Sequence, residues 1–410
     1  MQRILTVLLF TFVFLSSPSF AEKLSLSDIE KYAAEGHPSA QFLLGLRYQE
    51  GEDVTQDYKQ AHNWYTKAAE QGFAEAQSRL GLMYINGQGV AQDYKQAHNW
   101  LTKAAEQGYS SAQYNLGIMY DNGKGVRQDY KQAYNWYKKA AEQGHADAQT
   151  NLGLMYADGE GVAQDYQQAV NWYKKAAEQG RASAQYYLGH IYYNGSGIRR
   201  DYQQAESWFT KSAEQGYARA QYFLGIMYEN ALGVRQDYQQ AVYWYTKAAH
   251  QNLYEAQYNL GVLYSNGRGV RQDYRQAESW YTKAAQQGQV KAQFNLANLY
   301  SEGRGLNQDY QQAMYWYKKA AEQSHSGAQY SVGTMYSEGR GVRQDYHEAV
   351  IWFTKSARQG FAEAQHNLGV SYYNGYGVRQ SHVAAKEWFG KACDNGSQVS
   401  CDSYRILNSH

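Results

Sequence analysis

One stretch of the sequence decides the fold, Asp93-Tyr94-Lys95-Gln96-Ala97-His98-Asn99-Trp100-Leu101-Thr102-Lys103-Ala104-Ala105-Glu106-Gln107-Gly108. Its aspartate is a favourable helix N-cap, its apolar residues recur at helical spacing, and its glycine is the residue expected after a last turn. The tryptophan recurs every 36 residues, and all ten tryptophans occupy this position: Trp64, Trp100, Trp136, Trp172, Trp208, Trp244, Trp280, Trp316, Trp352 and Trp388. A fixed period of roughly 20 to 50 residues indicates a repeat architecture.

The overall composition gives little indication of a partner. The 410 residues include 39 Lys and Arg against 38 Asp and Glu, so net charge favours neither nucleic acid nor an anionic membrane. Partners have to be argued from local patches. A chain of this length would ordinarily hold two or three domains, but so regular a period predicts a single array.

The first residues have the three parts of a secretory signal peptide. Arg3 precedes an apolar run, Ile4 to Leu15, and small residues including Ser19 and Ala21 follow. We predict a signal peptide over residues 1–21 and a mature chain that is periplasmic or secreted. The run of 12 residues is shorter than the roughly 20 that a membrane span needs. An uncleaved anchor is the alternative.

Each repeat is predicted to contain two helices. In the unit from Gly72 to Gly108, helix A carries apolar or small residues at helical spacing, and a Gly-x-Gly loop ends it. Helix B begins after Asp93 and Gln96 completes a capping-box pattern. Its predicted buried stripe is Ala97, Trp100, Leu101, Ala104 and Ala105. We expect burial of the tryptophans to supply much of the stability.

A glycine in the middle of helix A predicts close helix packing. Gly81 is unfavourable in a helix by roughly 1 kcal/mol relative to Ala, yet glycine recurs at this position in nine repeats and Ala297 replaces it in the eighth. We expect helix B, with its alanines, to approach closely there.

Neither helix could bury its stripe alone, so successive pairs must stack. The predicted fold is an all-α solenoid, a right-handed superhelix with helix A on its inner face. The predicted segments are an N-terminal cap (residues 22–37), ten repeats (residues 38–396), and a C-terminal capping helix and tail (residues 397–410).

The motif Ala76-Gln77-x-x-Leu80-Gly81-x-x-Tyr84-x-x-Gly87-x-Gly89-Val90-x-x-Asp93-x-x-x-Ala97-x-x-Trp100-x-x-Lys103-Ala104-Ala105 resembles the Sel1-like repeat, a relative of the tetratricopeptide repeat. The resemblance covers about Ser39 to Gly396. It implies an adaptor or scaffold for protein complexes. Several exported bacterial members act in envelope assembly, signalling or contact with host cells, so the resemblance also implies a role of this kind.

The two cysteines, Cys393 and Cys401, lie late in the last helix B and early in the following helix. Their spacing is similar to the disulfide of the cysteine-rich secreted branch of the family, and this resemblance implies a disulfide here. Two free thiols are the alternative.

Function is expected at positions that vary between repeats. The residue at the position of Ser78 is mostly aromatic, and we call Tyr114, Tyr186, Tyr222, Tyr258, Phe294 and Tyr330 the aromatic row. With Tyr193 and Asn194 near a helix A end, the aromatic row predicts a surface that binds a protein or peptide. A second series, the arginine edge, precedes the Asp caps: Arg127, Arg199, Arg235, Arg271, Arg343 and Arg379. It could bind an acidic segment or anionic polymer. The alternative is that both series recur only because the repeats arose by recent duplication, with the tyrosines packing against neighbouring repeats and the arginines solvated.

Signals for catalysis are weak. His347-Glu348 lacks the second histidine of a zinc motif, His62 and His98 lie a full repeat apart, and no strand precedes a Gly-rich loop. We predict a monomeric, non-enzymatic scaffold with no cofactor, metal or nucleic-acid partner, which does not span a membrane after cleavage. Two alternatives stay open: an envelope protein that binds or hydrolyses cell wall or β-lactams, and a structural spacer.

Overall fold

The computed structural model describes residues 25–305 and 307–408. These residues form 22 α-helices and no strand, which confirms the predicted all-α repeat solenoid. The predicted signal peptide, residues 1–21, lies outside the described residues.

Helix A and helix B alternate along the chain. Odd-numbered elements are B helices: α1 (Leu26–Ala34), α3 (Tyr58–Glu70), α5 (Tyr94–Glu106), α7 (Tyr130–Glu142), α9 (Tyr166–Glu178), α11 (Tyr202–Glu214), α13 (Tyr238–His250), α15 (Tyr274–Gln286), α17 (Tyr310–Glu322), α19 (Tyr346–Arg358) and α21 (His382–Asp394). Even-numbered elements are A helices: α2 (Pro38–Glu50), α4 (Ala74–Asn86), α6 (Ser110–Asn122), α8 (Ala146–Asp158), α10 (Ala182–Asn194), α12 (Ala218–Asn230), α14 (Tyr254–Asn266), α16 (Val290–Glu302), α18 (Ser326–Glu338), α20 (Ala362–Asn374) and α22 (Gln398–Asn408).

The chain divides into two compact units, and the division falls inside α11, between Trp208 and Phe209. Within each unit, a helix A packs on the helix B of its own repeat, and that helix B packs on the next helix A. Each repeat therefore completes its core with its neighbours, as expected of a quasi-one-dimensional array.

Aspartate and glycine set the helix ends as predicted. One carboxylate oxygen of Asp93 accepts the N–H groups of Lys95 and Gln96, at 2.8 and 3.0 Å. Helix A ends at Gly87, whose φ of 68° is the left-handed conformation that glycine adopts without strain. The second glycine of the loop has a different role. A Cβ on Gly89 would lie 2.2 Å from the Tyr58 carbonyl oxygen, so this glycine lets the loop contact the preceding repeat.

The glycine in mid helix A marks a close helix approach, as predicted. A Cβ on Gly117 would lie 2.5 Å from the Tyr137 ring, and equivalent glycines face Tyr, Phe or Leu at the same position of helix B. The predicted approach to the alanines of helix B is also present, since a Cβ on Gly81 would lie 3.3 Å from the Ala97 carbonyl oxygen. The side chain that lies closer still is the residue after the tryptophan, Leu101 in this repeat, at 2.5 Å.

The expectation that tryptophan provides the buried ring of helix B is wrong for most repeats. Trp136 is half-buried, whereas the next residue, Tyr137, is 1 % exposed. Trp280, 7 % exposed, is buried. The ring of Trp136 packs against the core of the preceding repeat, around Leu101, while Lys139 covers its outer face at 4.0 Å. Tryptophan thus joins successive B helices, and the following residue fills the core.

The recurring Ala-Gln pair is explained by side-chain hydrogen bonds. The Gln77 amide donates to the Ala69 carbonyl of the preceding helix B at 3.0 Å. The Gln77 side-chain oxygen accepts from Gln107, at the end of its own helix B, at 2.7 Å. Because an unpaired buried amide is costly, these bonds favour one register between helices.

The last helix pair is joined by a disulfide between Cys393 and Cys401, with Cα atoms 4.6 Å apart. In α22, Arg405 occupies the register position that holds the mid-helix glycine elsewhere, and its side chain is exposed. A capping role for this C-terminal segment, residues 397–410, stays a prediction.

Candidate protein-binding surface

The helix A face presents side chains that the helix pairs do not bury completely. In α4, the buried side includes Ala76, Leu80 and Met83, whereas Leu82 and Ile85 are half-buried and Asn86 is exposed. The same alternation recurs in the other A helices. Three register rows of each helix A are thus available on this face, at the positions of Arg79, Leu82 and Ile85.

The aromatic row lies mostly between repeats. Tyr114 contacts the ring of Tyr137 at 5.9 Å and stacks on His145, at the start of the next helix A, at 4.7 Å. Phe294 lies in the same way between Tyr317 and His325, at 5.8 and 4.5 Å. Tyr222, Tyr258 and Tyr330 contact Tyr245, Tyr281 and Phe353 within 6.0 Å. These half-buried rings have a packing role that explains their recurrence.

The other predicted contact residues lie in α10. Tyr186 is only 5 % exposed, so its ring belongs to the core and offers little surface to a partner. Tyr193 is half-buried against Tyr202, with ring centroids 5.4 Å apart, and burial raises its pKa. Asn194 is exposed, with its amide nitrogen 3.2 Å from His190. Tyr193 and Asn194 thus share one end of α10, away from the aromatic row.

A second set of residues brings polar groups to the helix A face. The buried ring of helix B extends between two successive A helices and carries its hydroxyl to that face. The hydroxyls donate to Gln49, Asp121, Glu229 and Asn298 at 2.6 to 3.2 Å. We call these sites the polar seam: Tyr65, Tyr137, Tyr245, Tyr281 and Tyr317 with Gln49, Asp121, Glu229, Asn295 and Asn298.

The tyrosines of the seam stay neutral over the working pH range. Burial raises the pKa of Tyr281 to about 12, and burial with the adjacent Asp121 carboxylate raises the pKa of Tyr137 further. Burial also raises the pKa of the Asp121 carboxyl, against the lowering effect of the Tyr137 hydrogen bond. The seam therefore offers neutral hydroxyls and amides, with carboxylates at two of its sites.

The seam opens into a cleft between α14 and α16. The cleft has a volume of about 260 Å³ and is lined by Tyr258, Val262, Ser265, Asn266, Tyr281, Asn295, Asn298, Leu299, Glu302 and Arg304. Asn295 donates to the Tyr281 hydroxyl at 3.4 Å, and Asn298 accepts from Tyr317 at 2.6 Å. The apolar side chains of Val262 and Leu299 and the amides in one cleft suit a peptide segment, which has both apolar side chains and main-chain hydrogen-bonding groups.

The arginine edge is exposed at every predicted position: Arg127, Arg199, Arg235, Arg271, Arg343 and Arg379. Arg127, Arg235 and Arg271 each border an open cleft, of about 710, 730 and 590 Å³. Each cleft also contains the capping aspartate, which reduces its attraction for an anion. Binding of an acidic partner along this edge stays a prediction.

Among residues 25–305 and 307–408, no group of three or more His, Cys, Asp or Glu is placed to hold a metal ion. Within the same residues, no helix is long and apolar enough to cross a membrane.

The asparagines next to the aromatic row were missed by sequence reasoning. Asn115, Asn151, Asn259, Asn295 and Asn367 lie one residue after the register position of the aromatic row and are half-buried on the helix A face. Their recurrence at multiples of the 36-residue period was a signal that could have identified them. Only the structure shows that some of them meet the tyrosine hydroxyls.

The helix pairs, their register bonds and the open helix A face define a repeat protein of the solenoid class. The family profile of the Sel1 repeat matches ten segments: residues 38–73, 74–109, 110–145, 146–180, 182–217, 218–253, 255–289, 290–325, 326–361 and 362–397. The chain belongs to the Sel1 repeat family, whose members are generally scaffolds for protein–protein interaction. No curated protein sequence matches the chain.

Two solved structures are similar over most of the chain. One is a protective antigen present in uropathogenic Escherichia coli strains, described as displaying an SLR fold. Its sequence is 36% identical, the match spans 94% of this chain and 91% of the E. coli chain, and the TM-score is 0.69. The other is a Sel1 repeat protein from Oxalobacter formigenes, which is 34% identical. The match spans 75% of this chain and 88% of the Oxalobacter chain, with a TM-score of 0.57.

Proposed function

We propose that this chain is an exported, non-enzymatic scaffold that binds a segment of a partner protein along its helix A face. The polar seam is the observation that carries the proposal. Packing accounts for the aromatic row, but it does not require amides and hydroxyls to meet on a face that stays open. The Sel1 repeat family, in which scaffolds are general, supports the same conclusion.

Export is proposed from the predicted signal peptide and is compatible with the disulfide. The E. coli relative is a protective antigen, a property that fits an exported protein, and it supports a role in envelope function or host interaction here. N-terminal sequencing of the mature protein from fractionated cells should find Glu22 as the first residue. Recovery of the full precursor in the cytoplasmic fraction would contradict export.

Partner binding is tested by changing the cleft between α14 and α16. Asn295→Ala with Asn298→Val removes both amides and keeps the fold, because Val262 already occupies the second position one repeat earlier. Ser265 remains as a partner of Tyr281, and Ser301 and Ser331 remain as partners of Tyr317. Crosslinking in the producing cells followed by mass spectrometry identifies the partner. A pull-down then compares the amount of partner that the wild type and the double variant capture.

We expect the double variant to lose most of the captured partner while its circular dichroism is unchanged. The control is Asn99→Ala with Asn135→Ala, which removes two amides from exposed positions on helix B and should leave capture intact. Equal capture by the cleft variant and the wild type would overturn the proposed surface. Recovery of no partner at all would favour a structural spacer.

A further inference from the structure

The helix B face differs between the two units at one register position. The residue before each tryptophan is Asn63, Asn99, Asn135, Asn171 and Ser207 in the first unit, and Tyr243, Ser279, Tyr315, Ile351 and Glu387 in the second. Tyr243, Tyr315 and Ile351 are 47%, 52% and 37% exposed. The first unit packs its helices with asparagine at this position, so packing does not require these large side chains. Their repetition at one register position of a single face distinguishes them from scattered exposed apolar residues, which need no explanation.

The two exposed tyrosines have the same surroundings. Tyr243 lies edge-on to Trp244 at 4.9 Å, and the Lys247 ammonium lies 4.7 Å from the tyrosine ring. Tyr315 lies edge-on to Trp316 at 4.8 Å, with the Lys319 ammonium at 5.9 Å. Each group combines an aromatic pair with a cation at its outer end.

These groups belong to one surface of the second unit. Trp280 contacts His250, at the end of α13, with ring centroids 5.6 Å apart. Trp316 packs on the core around Tyr281, and Trp352 packs on the core around Tyr317. The helices α13, α15, α17 and α19 therefore lie side by side. We name Tyr243, Lys247, Tyr315, Lys319, Ile351, Lys355 and Arg358 the helix B patch.

The surface is basic although the chain as a whole is balanced. The last seven residues of these four helices contain six Lys and Arg against one Glu, Glu322, whereas the same segments of α3, α5, α7 and α9 in the first unit contain six Lys against four Glu. The first-unit helices end in glutamate, and α13, α15 and α19 end in His250, Gln286 and Arg358. The capping aspartates of the four helices lie at their opposite, N-terminal ends.

We infer that the helix B patch docks the protein on an anionic lipid surface. Tyrosine and tryptophan are the side chains that favour the membrane–water interface, and lysine keeps its ammonium among the headgroups while its stem lies on apolar surface. Basic residues at such a surface are attracted by anionic lipids, and the attraction falls with salt. Exposed apolar side chains with a basic residue one turn further on lie on three of the four helices, α13, α17 and α19, with Ser279 at this position of α15. A laterally uniform headgroup layer can contact all three helices at once. Docking of this kind is peripheral and leaves the helix A face free.

The test measures co-sedimentation of the full chain with large vesicles of two compositions. We expect binding to vesicles of equal parts phosphatidylglycerol and phosphatidylcholine, little binding to pure phosphatidylcholine, and release at high salt. The variant Tyr243→Asn, Tyr315→Asn, Ile351→Asn should weaken binding about tenfold, since it removes the exposed apolar groups. It should fold normally because asparagine stands at this position in four repeats of the first unit.

The matched control is the cleft variant Asn295→Ala with Asn298→Val, which changes the helix A face and should leave vesicle binding unchanged. This control also separates the inference from the proposed partner binding, because each variant should affect one assay only. No binding to the anionic vesicles at low salt would overturn the inference, as would equal binding by the triple asparagine variant. Complete competition by soluble polyglutamate at charge ratios that leave the vesicles in excess would indicate an acidic protein partner and also overturn it.

Discussion

Adjacent residues on one helix have different energetic roles in this protein. Tyr137 fills the core and carries its hydroxyl to the polar seam, while Trp136 covers the junction with the preceding repeat. Truncation of Tyr137 to Ala should cost about 3 to 5 kcal/mol, the range for a buried large aromatic residue. Trp136→Ala should cost about 1 to 2 kcal/mol, because its ring is already half-exposed. Urea unfolding followed by circular dichroism measures both.

The chain provides a control for this comparison. Leu101 occupies the position of Tyr137 in the second repeat and is fully buried, so Tyr137→Leu should fold and be less destabilising than Tyr137→Ala. A larger loss for Trp136→Ala than for Tyr137→Ala would show that the tryptophan row, and not the residue after it, dominates the core.

A second residue-scale prediction concerns glycine in helix A. Gly117→Ala gains roughly 1 kcal/mol of helix propensity, but the new Cβ would meet the Tyr137 ring at 2.5 Å. We expect a net destabilisation of about 1 to 3 kcal/mol from overpacking. Gly327→Ala is the control, because its Cβ would lie 3.3 Å or more from its neighbours and other repeats carry larger residues there. Stabilisation by both changes would contradict the close approach at Gly117.

At the scale of the element, histidine caps two A helices. The Nδ1 atoms of His145 and His325 accept the N–H groups of Ala148 and Ala328 at 3.2 and 3.1 Å. Burial lowers the pKa of both residues. The unfolded chain therefore binds more protons, so the free energy of unfolding should fall as pH decreases from above the ordinary histidine pKa through the lowered one.

The variant His145→Asn, His325→Asn tests this dependence. Asparagine is also a good N-cap, but it does not titrate in this range. Urea midpoints measured between about pH 7.5 and 5.5, on either side of the ordinary histidine pKa, should fall less steeply for the variant than for the wild type. His62, His98 and His366, whose pKa values burial also lowers, should sustain a residual slope. Identical slopes would rule out the two caps as titrating groups.

Most element boundaries could be predicted from the sequence, because local chemistry sets them. Asp93 and Gly87 determine where helices begin and end through their own backbone and side-chain bonds. The different burial of Trp136 and Tyr137 could not be predicted, since both lie on the apolar side of one helix and only the neighbouring repeats distinguish them. For the same reason, the packing role of Tyr114 and the hydroxyl that reaches Asp121 became visible only in three dimensions.

At the scale of the whole molecule, the disulfide should act locally. By loop-closure entropy, its removal should cost about 2.5 kcal/mol, and in an array each repeat depends mainly on its neighbours. Cys393→Ser with Cys401→Ser should therefore increase amide hydrogen exchange in α21 and α22. Exchange in α2 to α9 should not change. Increased exchange in those first-unit helices would contradict the nearest-neighbour description.

The same description predicts that a complete repeat can be removed. Deletion of residues 110–145 joins Tyr109 to Ala146, so α8 follows α5 at the point where α6 follows it in the wild type. Trp172 would then meet the core around Leu101, which Trp136 now contacts. We expect a folded protein with unchanged mean residue ellipticity and a slightly lower urea midpoint. Deletion of residues 110–127 is the control, because it places one helix B directly after another and leaves both without a helix A between them. That shorter deletion should abolish the cooperative transition. Loss of folding in the full-repeat deletion alone would show that the first unit depends on contacts beyond adjacent repeats.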